Sequence, residues 1–199
     1  MGSKDTSTRA IGPTGDARRL PPGSHGIPAD VVARNQRERL IAAMAEVCAE
    51  RGYALASVAE VAKRAGVSSV TFYKQFAGKR DCMLASHRQL LGRLLEEVDR
   101  VVEEESAAER ERAVIRAGLA LFAADPPSAR LLTVEILAAG PEGVERHEAM
   151  VRVLAERLGA GWVATAGMLA LVGKLVVAGE ADRLPGLEDE LVATLSSQS

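Results

Sequence analysis

The chain has 199 residues, of which 47% are hydrophobic, and a net charge of -2. This length is sufficient for one or two compact domains with a buried core. No apolar run approaches the roughly 20 residues that a membrane-spanning helix needs, and no basic start leads into an apolar stretch. We therefore expect a soluble, cytoplasmic protein that does not associate with a membrane.

The charge is distributed unevenly along the chain. Residues 1–29 carry a net charge of +2, residues 30–80 carry +4, and residues 81–199 carry -8. This asymmetry suggests that the front of the molecule meets an anionic partner. The two cysteines, Cys48 and Cys82, supply neither a disulfide framework nor a recognisable metal-ligand spacing. Cys48 shares an apolar helical face and is predicted to be buried.

Residues 1–29 are predicted to form a disordered N-terminal arm. They are rich in Gly, Pro, Ser and Thr and hold almost no apolar pattern that could offset the entropy of ordering. The basic residues Arg9, Arg18 and Arg19 either add loose phosphate contacts or belong to a solvated tail.

Helix signals begin at Asp30, and no period-2 strand pattern appears. A first helix is predicted by apolar residues at three- and four-residue steps and by a glycine that can end it: Leu40, Ile41, Met44, Val47, Cys48 and Gly52. A capping box, "SVAE" from Ser57 to Glu60, then predicts a short second helix that Gly66 can terminate. Ser68 can cap a third helix after a very short connection.

Two short helices joined by a tight turn that contains Gly are typical of a helix-turn-helix, whose second helix lies in the major groove of DNA. Phe72 and Phe76 share one face of that helix and are predicted to hold it against the other two, because it is too short to be stable alone. Polar side chains occupy its remaining surface. The pattern predicts a DNA-binding domain over residues 30–78.

The stretch "SVAEVAKRAGVSSVTFYKQFAGKRDCMLA" resembles the DNA-binding region of the TetR/AcrR family of bacterial transcriptional regulators, and the resemblance runs from about Arg39 to Ala85. The positions that carry it are Gly66, Val67, Ser68, Val70, Thr71, Phe72, Tyr73, Phe76 and Lys79. Two positions depart from the family pattern: Val70 stands where Gly is common, and Gln75 stands where His is common. These departures affect the expected operator sequence but not the fold.

The resemblance implies a role for each polar residue of this region. Phosphate contacts are expected from Ser57 at a helix N-terminus, and from Thr71, Tyr73 and Lys79. Contacts with base edges are expected from Ser68, Ser69, Val70 and Lys74, and Val70 could meet a thymine methyl. Gln75 could donate to a phosphate. For each hydroxyl, the alternative is ordinary helix capping or solvent exposure.

After about Lys79, six further helices are predicted, each separated from the next by Pro or Gly. Their expected ranges are 79–104, 107–124, 128–139, 142–158, 162–179 and 187–197. The predicted fold is therefore all-α: an N-terminal three-helix, helix-turn-helix DNA-binding domain followed by a six-helix C-terminal domain over residues 79–199. The resemblance implies that this second domain binds a ligand and forms a dimer.

The segment 163–179 is apolar nearly all round and holds a single charge, Lys174. A helix of this kind needs burial on more than one side, which predicts a partner helix. The small residues that would allow close approach are Ala164, Gly167, Ala170 and Gly173. A membrane span is disfavoured because the segment is short. The family resemblance implies a homodimer through the last two helices, which would place two recognition helices on a palindromic double-stranded DNA operator.

The resemblance also implies a pocket for a small-molecule effector among the middle helices. The candidate lining residues are Met83, His87, Leu91, Phe122, Thr133, Leu137, Met150 and Trp162. Each of them could equally be ordinary core. His87 and His147 have no companions at metal-ligand spacing, so no metal site and no cofactor are expected.

The sequence thus predicts a homodimeric transcriptional regulator, a repressor that leaves its operator when an effector favours a different arrangement of the dimer. One alternative is a DNA-binding regulator without a ligand. Another is a helical enzyme fused to a DNA-binding domain, which is disfavoured because the chain has no nucleophile elbow, phosphate loop or zinc signature.

Overall fold

The computed structural model describes residues 28–106 and 109–196, and within these ranges the chain is helical with no strand. The α-helices are α1 Ala29–Arg51, α2 Val58–Arg64, α3 Ser69–Gln75, α4 Lys79–Glu104, α5 Arg110–Ala124, α6 Pro126–Thr133, α7 Pro141–Leu158, α8 Trp162–Val177 and α9 Glu188–Ser196. Two 3-10 helices span Glu135–Ala139 and Ala181–Leu187. The predicted all-α class is confirmed. The arm with Arg9, Arg18 and Arg19 lies outside the described residues.

The helices of the second half begin and end at the residues that their capping chemistry favours. Asp125 accepts a hydrogen bond from the backbone N–H of Ser128, and Pro126 opens α6. Helix α7 also opens on a proline, Pro141, and it ends at Gly159 in the left-handed conformation with φ +65°.

One predicted helix, 128–139, is wrong in its extent. Helix α6 ends at Thr133, and the chain changes direction at Val134 before the 3-10 helix begins at Glu135. The break places the Glu135 carboxylate within 2.6 Å of the backbone N of Tyr53, 82 residues earlier in the chain. A hydrogen bond to so distant a residue has no counterpart in the local pattern, so periodicity could not reveal the break.

The buried residues form one continuous core that runs from α1 to α9. Helix α1 packs against α2 and α4 and also against α6, and α4 packs against α5 and α7. Residues 30–78 and the remainder of the chain therefore share packing, and the predicted division near residue 79 stays a prediction. Cys48 is fully buried, as predicted, and burial raises the pKa of its thiol to about 12.

Among residues 28–106 and 109–196, no single helix has both the length and the apolar content to cross a membrane. Helices α7 and α8 meet those criteria only as a pair, and they are bent by 112° at the break between them.

Candidate nucleic-acid interface and effector cavity

Helix α2 begins with the capping box that the sequence predicts. Ser57 Oγ accepts from the backbone N–H of Glu60, at 3.2 Å between N and O, and the Glu60 carboxylate accepts from the backbone N–H of Ser57 at 3.0 Å. The Ser57 hydroxyl also donates to Glu60 Oε2 at 2.7 Å, and this hydrogen bond lowers the pKa of the Glu60 carboxyl. Ser57 is exposed at the end of the helix, where its position suits a phosphate contact.

The turn between α2 and α3 depends on Gly66. Its φ of +65° lies in the left-handed region that glycine tolerates best. The N–H of Val67 donates to the carbonyl of Ala62, and the N–H of Gly66 donates to the carbonyl of Lys63. These bonds close the end of α2, and Ser68 then caps α3 by accepting from the N–H of Thr71 at 3.1 Å. The predicted helix-turn-helix is confirmed.

Helix α3 is anchored by its aromatic residues. Phe72 and Phe76 are both buried, and their ring centroids lie 5.6 Å apart. The ring of Tyr73 meets that of Phe72 edge to face at 5.5 Å. The guanidinium of Arg37 lies 4.3 Å from the Phe76 ring centroid, and it donates to the carbonyl of Gln75 at 2.8 Å. Helix α1 therefore fixes the end of α3.

The opposite side of α3 faces solvent. Val70 is 66% exposed and Tyr73 is 59% exposed, and Ser69 and Lys74 are exposed beside them. Lys74 forms no ion pair with any of the described residues. Helix α3 thus presents hydroxyls, one ammonium group and one branched apolar side chain at a surface that no part of the described chain covers.

The other residues predicted to contact DNA differ in how far their side chains are buried or hydrogen-bonded within the chain. Thr71 is half-buried, and its hydroxyl lies 3.0 Å from that of Ser68. Gln75 is also half-buried. Lys79 Nζ donates to the carbonyls of Tyr53 and Ala56, both at 2.9 Å, and lies 4.4 Å from the Tyr53 ring centroid. Lys79 therefore holds the loop that leads to Ser57.

Sequence reasoning missed a polar network behind this loop. The buried Glu135 accepts from the backbone N of Tyr53 at 2.6 Å and from Arg130 Nε at 2.8 Å. Arg130 also donates to the carbonyl of Ala49 at 2.8 Å, at the end of α1. The network joins the second half of the chain to the same loop that Lys79 holds. Its members are far apart in the sequence, so no motif could have signalled it.

An apolar cavity of about 30 Å³ lies among α4, α5, α7 and α8. Its walls include Leu94, Gly118, Phe122, Leu154 and Met168. This volume holds about one water molecule, so the side chains fill most of the space between the helices.

Of the eight residues predicted to line an effector pocket, Phe122 borders this cavity. Leu137 and Trp162 lie at the surface, 43% and 50% exposed, because Leu137 follows the unexpected break and Trp162 is the first residue of α8. The other five are packed in the core away from this cavity: Met83, His87, Leu91, Thr133 and Met150. Their contact with an effector stays a prediction.

His87 is a buried histidine on α4. It is 1% exposed, and its Nε2 has no hydrogen-bond partner among the described residues. Burial, together with the charges of the nearby His147 and Arg146, lowers its pKa to about 4. The pKa of His147 is also lowered by burial. Over the described ranges, no group of three or more His, Cys, Asp or Glu side chains could hold a metal ion.

Helix α8 has one face that nothing in the described chain covers. The exposed residues recur at helical spacing: Val163, Gly167, Ala170, Lys174 and Val177. Gly173, which the sequence analysis placed in the same contact surface, instead faces inward. A Cβ there would come within 2.8 Å of Val134 Cγ2. Gly173 therefore permits close packing within one chain, and this part of the prediction is wrong.

Comparison with known proteins bears on these features. Residues 40–85 match the family model of the bacterial regulatory proteins of the tetR family. The fatty acid metabolism regulator protein of Bacillus subtilis (strain 168) is 31% identical over 99 residues, which make up 49% of this chain. The chain spans about half the length of that curated relative, since the match covers 51% of it.

Several solved structures share the fold. The transcriptional regulator FadR from Bacillus subtilis, in complex with stearoyl-CoA, aligns with a TM-score of 0.69 at 23% identity over 81% of this chain and 98% of that chain. The fatty acid degradation regulator FadR from Bacillus halodurans aligns with a TM-score of 0.67 at 21% identity over 80% and 94%. A transcriptional regulator from Rhodococcus sp. Rha1 aligns with a TM-score of 0.63 at 29% identity over 81% and 94%.

These matches confirm the family resemblance and the fold that the sequence predicts. Residues 40–85 match the tetR family model, and the chain shares its fold with solved transcriptional regulators.

Proposed function

We propose that this chain is a tetR-family transcriptional regulator that binds a palindromic operator in the cytoplasm as a homodimer. It represses transcription there and leaves the DNA when an apolar small molecule enters the cavity among α4, α5, α7 and α8. The observation that carries the proposal is the solvent-facing side of α3, whose exposed side chains belong to a helix that is pinned on its other side by two buried phenylalanines.

We infer two sets of DNA contacts. Base edges are read by Ser68, Ser69, Val70 and Lys74, and Lys74 is well suited because its charge has no partner in the described chain. Phosphates are contacted by Ser57, Thr71, Tyr73, Gln75 and Lys79, which set the register on the duplex without reading sequence. Lys79 also supports the interface from behind, since its ammonium group holds the loop before α2.

The dimer is inferred to form through α8, with α9 beside it. Gly167, which has no side chain, and Ala170, which has only a methyl group, lie at the centre of the uncovered face of α8 and let a second helix approach closely. Val163 and Val177 add apolar surface at either end, each more than half exposed. A two-fold contact at this face would present two α3 helices to successive major grooves of one operator.

We infer that the effector carries a long acyl chain. The Bacillus subtilis neighbour was solved with stearoyl-CoA. In this chain the cavity is lined by apolar residues alone, and it includes the flexible Met168 and the side-chain-free Gly118. A cavity of about 30 Å³ is far too small for such a chain, so binding requires α5, α7 and α8 to move apart. A ligand that fits only the expanded state shifts the population toward it.

A second candidate is a regulator that takes no effector. The same small volume favours it, since the interior is nearly filled by side chains. The two candidates make opposite predictions for a ligand titration.

The operator would first be identified by selecting bound duplexes from a random pool. Release of the selected duplex by stearoyl-CoA would then be followed by fluorescence anisotropy for the native chain and for Gly118→Ala and Gly118→Leu. The two variants form a graded pair because nothing lies within 4 Å of a Cβ at Gly118. Alanine leaves most of the cavity open, whereas leucine fills it.

We expect stearoyl-CoA to release DNA from the native chain and from Gly118→Ala, and to act at least tenfold more weakly on Gly118→Leu. Binding of all three proteins to the operator without ligand should be similar, which checks their folding. Release that is absent in every protein would support the regulator without an effector. Selection of no sequence would overturn the operator-binding proposal itself.

A further inference from the structure

The loop between α1 and α2, residues 52–57, is held by two oppositely charged side chains from other parts of the chain. The backbone N–H of Tyr53 donates to Glu135 Oε2 at 2.6 Å, and the carbonyl of Tyr53 accepts from Lys79 Nζ at 2.9 Å. Both backbone polar groups of Tyr53 are therefore bonded to side chains that lie outside the loop. A loop without regular structure depends on bonds of this kind for its geometry.

The Glu135 carboxylate is itself fixed in place. It is buried, and its two oxygens have separate donors, since Oε1 accepts from Arg130 Nε at 2.8 Å while Oε2 accepts from Tyr53. Arg130 also donates to the carbonyl of Ala49 at 2.8 Å, near the end of α1. The carboxylate cannot turn away without losing at least one charge-assisted hydrogen bond.

The chain break that carries Glu135 is closely packed as well. Val134, where α6 gives way to the 3-10 helix, lies against α8 so tightly that a Cβ at Gly173 would come within 2.8 Å of Val134 Cγ2. The donor and acceptor that meet at Tyr53 thus belong to two parts of the chain, each anchored by its own packing.

The far end of the loop is Ser57, the cap of α2. Ala56, which precedes it, is buried, and its carbonyl accepts from Lys79 Nζ at 2.9 Å. The loop is short, so a displacement of Tyr53 moves Ser57 and the start of α2. The exposed hydroxyl of Ser57 is one of the phosphate contacts proposed above.

We infer that Glu135 is a positioning residue for DNA binding, which holds the backbone of Tyr53 so that Ser57 and α2 meet the DNA backbone in register. This inference rests on the proposed function, which supplies the DNA. Charge alone predicts the opposite effect, because a carboxylate repels an anionic ligand and its removal should strengthen binding. The sign of the change therefore separates positioning from electrostatics.

The test compares Glu135→Gln with Asp99→Asn. Glutamine keeps the shape and one acceptor but removes the charge that Arg130 pairs with. Asp99 is a matched control, since it pairs with Arg157 at 2.9 Å and lies about 30 Å along α4 from Lys79. Affinity for the selected operator is measured by fluorescence anisotropy, stability by urea denaturation, and amide hydrogen exchange at Tyr53 on the proteins without DNA.

We expect Glu135→Gln to weaken operator binding by about fivefold or more, because a charge-assisted hydrogen bond that fixes the loop is lost. Exchange of the Tyr53 amide should be faster in the same variant. Asp99→Asn should match the native chain in both measurements, or bind DNA slightly more tightly. Both variants should stay folded, which the urea curves check.

A double-mutant cycle distinguishes positioning from a general loss of stability. Ser57→Ala should cost roughly threefold less affinity in the Glu135→Gln background than in the native chain, because the hydroxyl is already misplaced there. Tyr73→Ala is the matched comparison. Tyr73 lies on α3, whose end is fixed by Arg37 instead, so its substitution should cost the same in both backgrounds.

Operator binding by Glu135→Gln that equals or exceeds that of the native chain would overturn the inference and leave the proposed function intact. Equal losses in Asp99→Asn would assign the effect to stability, and strict additivity with Ser57→Ala would remove the route through the loop. A native chain that binds no DNA would instead defeat the proposed function, and this inference with it.

Discussion

The outer face of α3 differs from the contact between α4 and α7 in how the chain assembles it. We call the second region, where Arg80 of α4 meets Glu142 of α7, the seam. The exposed residues of α3 all come from one seven-residue helix. The seam is built by side chains that are far apart in the sequence, since Arg80 and Glu142 are separated by 62 positions. The exposed surface of α3 is thus a local product of the sequence, whereas the seam is a product of packing.

This difference also separates what stabilises each region. A helix of seven residues is not stable in isolation, so α3 depends on the Ser68 cap and on the buried rings beneath it. The seam lies between two long helices, α4 and α7, that share the continuous core. Removing an anchor of α3 should therefore disable DNA binding, whereas a change in the seam acts on the packing of the two long helices.

The largest expected effect is that of Phe72→Ala. The ring is fully buried and contacts both Tyr73 and Phe76, so its removal should lower the free energy of unfolding by about 3–5 kcal/mol. Chemical denaturation followed by circular dichroism would measure the loss, and DNA binding should disappear with it.

Tyr73→Ala is the matched comparison, because Tyr73 is the next residue and is mostly exposed. Its effect on the free energy of unfolding should stay within about 1 kcal/mol, while binding to all DNA sequences weakens. If Phe72→Ala were no less stable than Tyr73→Ala, the anchoring role of the aromatic pair would be refuted.

A somewhat smaller effect is expected on the pH dependence of stability, through the buried His87 of α4. Burial lowers the pKa of His87 from 6.5 to about 4, so the folded state binds fewer protons than the unfolded state between these values. The stability associated with the neutral imidazole is fully present above pH 6.5 and is lost as the pH falls to about 4, amounting to roughly 3 kcal/mol. Urea denaturation at pH 7, 5.5 and 4.5 would detect the decline.

His87→Leu should flatten that decline, because it removes both the titrating group and a buried nitrogen without a partner. His147→Gln should flatten it less, since His147 is only half-buried. An unchanged pH profile in His87→Leu would show that the loss of stability has another origin.

The smallest expected effect is on assembly. Ala170→Glu places two like charges at the centre of the uncovered face of α8, and the dissociation constant of the dimer should rise roughly 30-fold, or about 2 kcal/mol. Sedimentation velocity would measure this change. Ala149→Glu, at an exposed position of α7, should leave it unchanged. Equal behaviour of the two variants would remove α8 from the dimer interface.

The N-terminal motif could be read from the sequence because each of its structural determinants is local. The Ser57–Glu60 capping box, the left-handed Gly66 and the cap at Ser68 each act within about three residues. The alternation of Pro and Gly with apolar segments likewise predicted the later helices, since these residues end helices wherever they occur.

The predictions that were wrong concern residues whose contacts lie far away in the sequence. Periodicity extended α6 through Glu135, but the carboxylate of that residue turns back to Tyr53 and Arg130. The small residues of α8 suggested a single contact surface for a partner helix. Packing separates them, because Gly173 faces Val134 whereas Gly167 and Ala170 face outward.

The sequence by itself thus determined the helical class, the helix-turn-helix and the residues exposed on α3, because hydrogen bonds and apolar spacing within a few residues specify them. Only the tertiary structure decided which side chains border the cavity and which charged residues meet between α4 and α7. Those neighbours are brought together by the packing of whole helices, and that packing depends on the shape of every face at once.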